Sequence, residues 1–487
     1  MGKTRFSTEE KVFFTLVTDA ATANPFSDER TEIDYKIAGL FPGVADDERL
    51  DRTIAEVGTR IQKLIDSGRG TIDSFSGEDV DLAKNAFAFD VFHQYLERFD
   101  ALIVGQMADI GSNVKLPFAA KAIASLCQRG IDPREAHRFI SLFFQLRRAF
   151  FFIDKSLVGR SPCMKSLRQQ LWNNIFTSDM NIYHRYLWNR MEDFSTMMLG
   201  ETGTGKGTAA AAVGRSGYIP FDDKSGRFME KFPHTFIPLN LSQFSETLIE
   251  SELFGHRKGA FTGAMDDHTG VFDRCSAHGS IFLDEIGELS EPVQIKLLQV
   301  LQERTFSPVG SHEVHRFQGR VIAATNRPIH RLRGQSGLRE DFYYRLCSDV
   351  IVVPPLRQRI REDPSELDDL LRHTMKRLLG EEAGELVKQV RSRILATVGL
   401  DYAWPGNVRE LEQCVRRILI GQDYRPESNI RRQDLTDQLK AAIEKGNLDA
   451  RGLLTAYCRI LYQRQKTYES VARTTGLDRR TVKKYID

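Results

Sequence analysis

At 487 residues the chain is too long for one core and divides into three or four domains. Hydrophobic residues at 41% and charged residues at 28% are ordinary for soluble protein, and no apolar run approaches the roughly 20 residues that span a bilayer. Six scattered cysteines without Cys-x-x-Cys spacing argue against a zinc site or disulfide framework and suit a reducing cytosol. The net charge of +2 hides a basic tail: from Arg451 to Asp487 there are nine Lys or Arg against three Asp or Glu. A local excess of that kind points to a polyanion partner.

Ser7 and Glu10 form a capping box, and Val12, Phe13, Leu16 and Val17 follow at helical spacing until Asn24-Pro25 interrupts. The helical period continues to about Asp154, as in Phe139, Leu142, Phe143, Leu146 and Phe150, with no run of alternating strands. Residues 1–155 therefore read as a helical bundle of unknown ligand, its aromatic stripes being packing core. Phe150, Phe151 and Phe152 cannot share one buried helix face, which suggests docking against the next domain.

The character changes at Leu157 to Pro162. An apolar strand at Thr196–Leu199 runs into Gly200, Glu201, Thr202, Gly203, Thr204, Gly205 and Lys206, and then an alanine-rich helix. Strand, glycine loop, lysine and helix is the order a phosphate cradle requires: backbone N–H groups and a helix N-terminus converge on the phosphates, and Lys206 adds a full charge. Gly207 stands where a magnesium-binding hydroxyl is usual, with Thr208 one position on.

The segment Glu252 to Ala264, rich in glycine and alanine with Phe261 and Thr262 at its tip, makes a poor core helix and a plausible exposed loop. Beyond it, the strand Gly279–Leu283 delivers Asp284 and Glu285 at its C-terminal end, where open parallel sheets bind ligands. Asp284 is the candidate for Mg2+ and Glu285 for orienting and deprotonating water. A third strand, Val321–Ala324, ends in Thr325 and Asn326, suited to sensing the outer phosphate. Arg339 and Arg345 offer the positive charge that phosphoryl transfer needs, and Arg409, on the helix opened by Trp404-Pro405-Gly406-Asn407, is a further candidate.

Assembled in this order, the region from about Leu157 to Gly421 resembles the AAA+ domain of bacterial sigma-54-dependent transcription activators, or enhancer-binding proteins. The resemblance rests on the phosphate loop, the GAFTGA signature of Gly259, Ala260, Phe261, Thr262, Gly263 and Ala264, the Phe282–Leu289 segment, Ala323–Arg327 and Trp404–Leu411. It implies ATP and Mg2+ as cofactors, with Val158, Gly159, Gly200–Lys206, Gly207, Thr208 and Arg409 around the nucleotide. Lys206 belongs to Walker A, Asp284 and Glu285 to Walker B, Thr325 and Asn326 to sensor I, and Arg409 to sensor II. Arg339 and Arg345 match arginine fingers given to a neighbouring subunit, and Asn240 matches the asparagine that holds the Walker B glutamate in a switch. Family members commonly carry Glu after the Walker A lysine, so the hydroxyl absent at Gly207 is not essential to the pattern.

Two segments, Asn174 to Asp193 and Arg215 to His234, are longer than the family's. They read as lineage decoration or a docking surface for the N-terminal bundle, the former being favoured. At the C-terminus, Tyr468 to Ile486 fits helix-turn-helix spacing. Gly476 makes the turn, Val471, Leu477 and Val482 form the core, and Arg479, Arg480, Thr481, Lys483 and Lys484 are available to DNA.

The expected architecture is multidomain: a helical regulatory domain at 1–155, an AAA+ α/β subdomain with a parallel sheet at 156–355, a helical lid at 356–425, a linker at 426–450 and a helix-turn-helix at 451–487. The resemblance implies a cytoplasmic activator without membrane contact. It would bind upstream double-stranded DNA, assemble as a homo-oligomer, a hexameric ring, and hydrolyse ATP to remodel the sigma-54 RNA polymerase holoenzyme. The alternative is a DNA-binding regulator working with ordinary polymerase, its AAA+ core serving as a ligand-gated oligomeriser. Relatives of that sort typically lose the GAFTGA residues, all six of which are present.

Overall fold

The computed structural model describes residues 3–108, 115–328, 337–380, 384–399, 401–422, 449–465 and 467–486, with Leu332, Tyr424, Leu439, Ile443 and Gly446. The expected linker at 426–450 lies for the most part outside the described residues. The chain forms two units, Met1–Gly384 with Ala403–Glu412, and Glu385–Tyr402 with Gln413–Asp487.

The first unit opens with α1 (Thr8–Thr22), whose capping box is formed as expected: Ser7 Oγ accepts from Glu10 N, and the Glu10 carboxylate accepts from Ser7 N. With α2 (Asp28–Ala38), α3 (Asp46–Asp66) and α4 (Asp79–Gln94) it closes over a core that includes Phe14, Val17, Val57, Ile61, Phe75 and Phe87. The next helices, α5 (Leu96–Ala108), α6 (Pro117–Gln128) and α7 (Pro133–Ser156), belong to a different and larger core. That core continues without a break through α8 (Pro162–Phe176), Ala209, Val213, Phe228 and Phe232 to the sheet residues Met198, Ile322 and Ala324. Packing is thus continuous across residue 155, the expected domain boundary.

The sheet has five strands: β1 (Thr196–Leu199), β4 (Phe236–Asn240), β5 (Ser280–Asp284), β8 (Arg320–Thr325) and β9 (Asp349–Val352). Their order is β4-β5-β8-β1-β9, and every pairing is parallel. The three inner strands are almost wholly buried apolar runs, as a parallel sheet covered on both faces requires. Pro238, which cannot donate to a ladder, sits on the edge strand β4. Alternation sends Met198, Phe282, Ile322 and Ala324 to the face covered by α7, α8 and α10 (Lys206–Gly214). Met197, Ile281, Leu283 and Ala323 face α11 (Glu246–Phe254), α13 (Glu291–Glu303) and α14 (Glu340–Leu346). A single turn, α12 (Val271–Arg274), precedes β5, the short antiparallel pair β6 (Thr305–Phe306) and β7 (His315–Arg316) lies between α13 and β8, and α15 (Leu356–Glu362) and α16 (Ser365–Leu379) follow β9.

Both long segments find their place on α7. The first contains the single turn α9 (Met180–Ile182) and a π-helical turn at Tyr183–Leu187; Tyr183 Oη donates to Gln145 Oε1 at 2.8 Å. The second forms the small hairpin β2 (Phe221–Asp222) and β3 (Arg227–Phe228). Its Phe221 N donates to Ser141 Oγ, Phe228 stacks on Phe144 at 4.2 Å, and Phe232 meets Phe152 edge-on at 5.3 Å. Of the two readings of these insertions, docking against the N-terminal helices is the one realised, and decoration, the favoured one, is corrected. Aromatic residues in 215–234 are there to cover α7. Phe152 is buried in that junction, while Phe150 turns to stack on Phe26.

The second unit holds α17 (Gly384–Val398) from Glu385 on, and the C-terminal part of α18 (Asn407–Leu419). Three more helices, α19 (Ala450–Gln465), α20 (Tyr468–Thr475) and α21 (Arg479–Ile486), pack around Cys458, Leu461, Val471 and Val482. Among the described residues, no helix is long and apolar enough to cross a membrane.

Candidate nucleotide site and lever

Strand register lines up the candidate residues before any side chain is considered. Leu199, the last residue of β1, lies opposite Thr325, and Asn240 lies opposite Asp284, so the phosphate loop and the polar ends of β4, β5 and β8 share one edge of the sheet. From β1 the chain turns through Gly200–Gly205 and enters α10 at Lys206. Lys206 is buried, and its Nζ donates to the carbonyls of Gly200 at 2.8 Å and Glu201 at 3.2 Å. Burial lowers its pKa, a shift opposed by Glu285 and Asp284 and reinforced by Arg409. All four charges therefore act on one locus.

The phosphate loop is clamped from outside the sheet. Arg357 on α15 donates two hydrogen bonds to Glu201, at 2.7 and 2.6 Å, and this pairing is the main reason the Glu201 carboxyl titrates below its ordinary value. Asn407 Nδ2 donates to Glu201 Oε2 and to the Thr202 carbonyl. Gly203, with φ of +80°, leaves no room for a side chain: a Cβ there would lie 2.2 Å from the Gly406 carbonyl oxygen. The start of α18 and the loop thus press backbone to backbone, and Val408 N donates to Gly203 O at 3.1 Å. At Gly207, by contrast, a Cβ would meet only Phe282 at 3.8 Å, an ordinary contact. Thr204 is buried with its hydroxyl on the Glu201 carbonyl, and Thr208 is exposed.

Across the cleft, Glu285 adopts a left-handed conformation (φ 59°, ψ 47°), uncommon for a residue with a side chain and typical of functional positions. Its Oε2 accepts from Asn326 N at 3.4 Å, and Asn326 Nδ2 donates to Thr202 Oγ1 at 3.2 Å. Asn326 therefore joins Glu285 to the Gly200–Gly205 loop. Asp284 Oδ1 accepts from Glu285 N. Thr325 is buried, its hydroxyl oxygen accepting from Arg327 N. Asn240 does not reach Glu285: its Oδ1 accepts from Ser242 N and Ser242 Oγ, at 3.1 and 2.8 Å. Arg339 is held by Glu291 and Asp341, and Arg345 Nε donates to the Leu301 carbonyl, so both arginines are engaged by their own chain.

Among the described residues, no three His, Cys, Asp or Glu side chains gather as a protein metal cage. Mg2+ is ordinarily held by one or two carboxylates together with phosphates and waters, and Asp284, within the field of Lys206, would be the carboxylate available to it. Near the expected nucleotide base, the Val158 carbonyl accepts from Arg359, which is paired with Glu366 at 2.6 Å in full burial. Gly159 (φ +113°) passes so close that a Cβ would fall 2.1 Å from the Glu366 carboxylate. Arg357, Arg359 and Glu366 were not singled out from the sequence. They lie more than 150 positions from their partners in the phosphate loop and the Val158–Gly159 turn, and only the fold reveals those pairings.

A short path leads from Asn240 to the exposed tip. The 3-10 turn Leu241–Gln243 begins at Asn240, α11 follows, and the chain emerges at Gly255 into the Gly259–Ala264 turn. The turn is closed by Gly259 N to Ala264 O at 2.8 Å and Ala264 N to Phe261 O at 3.0 Å. Arg257, paired with Asp267 and Glu313, braces its base. Phe261 is half-buried against His256, whereas Thr262 is exposed.

In the second unit, Gly476 (φ +72°) ends α20 and Asp478 starts α21, accepting from Arg480 N and Thr481 N. Arg480, Lys483 and Lys484 are exposed; Arg479 is exposed and paired with Glu469, and Thr481 Oγ1 donates to Asp478.

Residues 178–352 match the family described as the Sigma-54 interaction domain, and residues 361–451 that described as the AAA+ ATPase lid domain. The Nif-specific regulatory protein of Azotobacter vinelandii is 37% identical over 273 residues, 56% of this chain and 46% of that one. Its namesake in Bradyrhizobium diazoefficiens is 42% identical over 268 residues, 54% of this chain and 43% of that one. The sigma54-dependent transcriptional activator SfnR of Pseudomonas putida is 39% identical over 229 residues, 46% of this chain and 57% of that one. The chain spans about half the length of the curated relatives it matches. Residues 178–451 thus carry the likeness to sigma-54-dependent activators: a Sigma-54 interaction domain followed by an AAA+ ATPase lid domain.

Proposed function

We propose that the protein is an ATP-driven activator of sigma-54 RNA polymerase that binds upstream DNA through α20 and α21 and works as a hexameric ring. The observation that carries this reading is the joining of a complete phosphate-loop site, through Asn240 and α11, to an exposed turn with all six GAFTGA residues.

In the mechanism, the outer phosphates replace the Gly200 and Glu201 carbonyls as partners of Lys206. Asp284 would hold Mg2+, which would neutralise charge on the phosphates. Glu285 orients and deprotonates the attacking water, and Asn326 reports the state of the phosphate to Thr202 and Glu285. Arg339 and Arg345 leave their intrachain partners to complete a neighbour's site. Asn240 exchanges Ser242 for Glu285, and because α11 starts just beyond this turn, the exchange shifts the tip: a two-state element biased by ligand. Phe261 and Thr262 touch the sigma factor. Arg480, Lys483 and Lys484 contact DNA, with Arg479 and Thr481 at the edge of that surface.

The test is in-vitro transcription from one template with sigma-54 holoenzyme and with the ordinary holoenzyme. ATP-dependent open complexes are expected with sigma-54 only. Activation restricted to the ordinary holoenzyme, unaffected by a non-hydrolysable nucleotide, would instead establish the ligand-gated oligomeriser.

A further inference from the structure

The largest cavity of the first unit, about 1890 Å3, runs along α7 between α1, α2 and α4 on one side and α8 and α9 on the other. It exceeds the roughly 300–1,000 Å3 of an ordinary small-molecule pocket, so a bound compound fills only part of it. On α7, Phe139, Phe143, Leu146 and Phe150 recur at helical spacing, and all four line the cavity as one apolar stripe. Phe92 of α4 meets that stripe from the other wall, 5.2 Å from Phe143. At its N-terminal end the stripe stops at His184, which stacks on Phe139 at 5.4 Å. Phe92 and Leu146 are half-buried and offer apolar surface to a ligand, whereas Phe139 and Phe143 are buried.

Charge is uneven along the stripe. Burial is the main cause of the low His184 pKa, about 4; Arg138, Lys84 and Arg185 lower it further, and Glu135 alone opposes them. Glu135 is already divided between Lys84 at 3.2 Å and Arg138 at 3.7 Å, and Asp81 lies 3.7 Å from Lys84. Arg185 differs from these cations. It lines the cavity, is exposed, and makes no hydrogen bond or ion pair among the described residues. Elsewhere along the walls Arg30, Arg49 and Arg147 are paired with Asp34, Asp46 and Asp100, and Arg168 donates to the carbonyls of Leu157 and Gly159. Arg160, beside Gly159 and beyond the C-terminal end of α7, is the other lining arginine without a partner among the described residues. The His184 end therefore combines apolar ring surface with one unmatched positive charge.

We propose that the His184 end of this cavity binds an aromatic monocarboxylate, whose ring packs on Phe92 and the Phe139–Leu146 stripe and whose carboxylate pairs with the Arg185 guanidinium at the mouth. One unshared guanidinium matches one negative charge, and its planar fork suits the two oxygens of a carboxylate. A dianion would keep a charge unmatched in the presence of Glu135 and Asp81. The site stands independently of the activator reading. Its location gives it a use, because the opposite side of α7 is bonded to the end of the phosphate-loop helix: Gln145 Nε2 donates to Ser216 O, and Arg148 donates to the carbonyls of Arg215 and Gly217.

The probe is 2-naphthoate, a fluorescent aromatic carboxylate, titrated into the full-length protein beside 2-naphthol, a neutral compound with the same ring. Saturable binding of 2-naphthoate is expected, with 2-naphthol at least about fivefold weaker, the scale of a charge-assisted hydrogen bond to an exposed, solvent-screened guanidinium. Arg185→Gln should bring 2-naphthoate down to the 2-naphthol level and leave 2-naphthol unchanged. Arg160→Gln, at the other end of the cavity, should leave both unchanged. Leu146→Trp, which occupies the space beside Phe92, should weaken both compounds, and its melting temperature establishes whether it is folded; the Arg185→Gln comparison, at an exposed position, holds in either case. Absence of saturable 2-naphthoate binding, equal binding of 2-naphthol, full affinity in Arg185→Gln, loss of binding in Arg160→Gln, or undiminished binding by a folded Leu146→Trp protein would each overturn the assignment.

Discussion

Asn407 donates through Nδ2 to Glu201 Oε2 at 3.2 Å, across 206 positions of sequence, and accepts through Oδ1 from Leu356 N at 2.8 Å. It is fully buried and left-handed, with φ of +52°, a conformation asparagine tolerates better than most residues. One amide therefore fixes the start of the lid-side helix α18, the phosphate loop and the start of α15 together.

Asn407→Ala should destabilise the first unit by about 2–4 kcal/mol, combining buried groups left unpaired with the left-handed backbone cost of alanine. Nucleotide affinity should fall along with melting temperature. Glu201→Gln retains an acceptor for Asn407 and loses the charge facing Arg357, so it should weaken nucleotide binding with little change in melting temperature. Calorimetric titration and thermal melts on the two variants separate these outcomes.

Nucleotide affinity should fall with rising pH, beginning below the ordinary lysine range. In the free protein burial lowers the Lys206 pKa, while bound phosphates favour its charged form and raise it again. Binding is then coupled to proton uptake, and affinity is complete below the lowered value and declines above it. Lys206→Arg, whatever its absolute affinity, should be flat over the same range, measured with a fluorescent nucleotide between about pH 7 and 10.

Arg148 is fully buried, and desolvation pulls its guanidinium down to about 9. Its partners are the carbonyls of Arg215 and Gly217, beyond the last turn of α10, where a cation complements the helix dipole. Arg148→Ala should cost about 2–4 kcal/mol, as charge-assisted bonds and packing are both lost. For the same reason, removal of residues 1–155 should yield an aggregated or molten ATPase region, because it uncovers Val213, Phe228 and Phe232. A monodisperse, cooperatively melting product would contradict this.

Replacing both Arg480 and Lys484 by alanine should reduce the slope of log K against log salt for the target duplex by about 2, near 0.9 per phosphate contact. Arg479→Ala should change it less, since Glu469 already holds that guanidinium. Fluorescence anisotropy at three or more salt concentrations gives the slopes.

Much of the sheet was legible because its signals are local. Thr196–Leu199 is a strand over the same four residues, and the buried runs before Asp284 and Thr325 end where the polar residues begin. Ser7 and Glu10 announced α1 in the same way. The clamp was not legible. Asn407 lies inside a recognised motif, yet its partners Glu201 and Leu356 are set by the return of the chain to the sheet edge, which no local period encodes. Residues 215–234 were hidden for a related reason: Phe228 and Phe232 look like decoration until α7 is found opposite them. Asn240 differs again, its bond to Ser242 being one arrangement of a residue proposed to have two.

In the proposed mechanism, phosphate chemistry at Glu285 drives the Gly259–Ala264 tip against its target. The most direct measurement is ATPase rate and sigma-54 open-complex formation on the same preparations of Thr262→Ala and Glu285→Gln. Thr262→Ala should hydrolyse ATP at a rate near the parent's and form no open complexes, while Glu285→Gln should lose both activities. Loss of ATPase in Thr262→Ala together with normal promoter opening by Glu285→Gln would contradict the account.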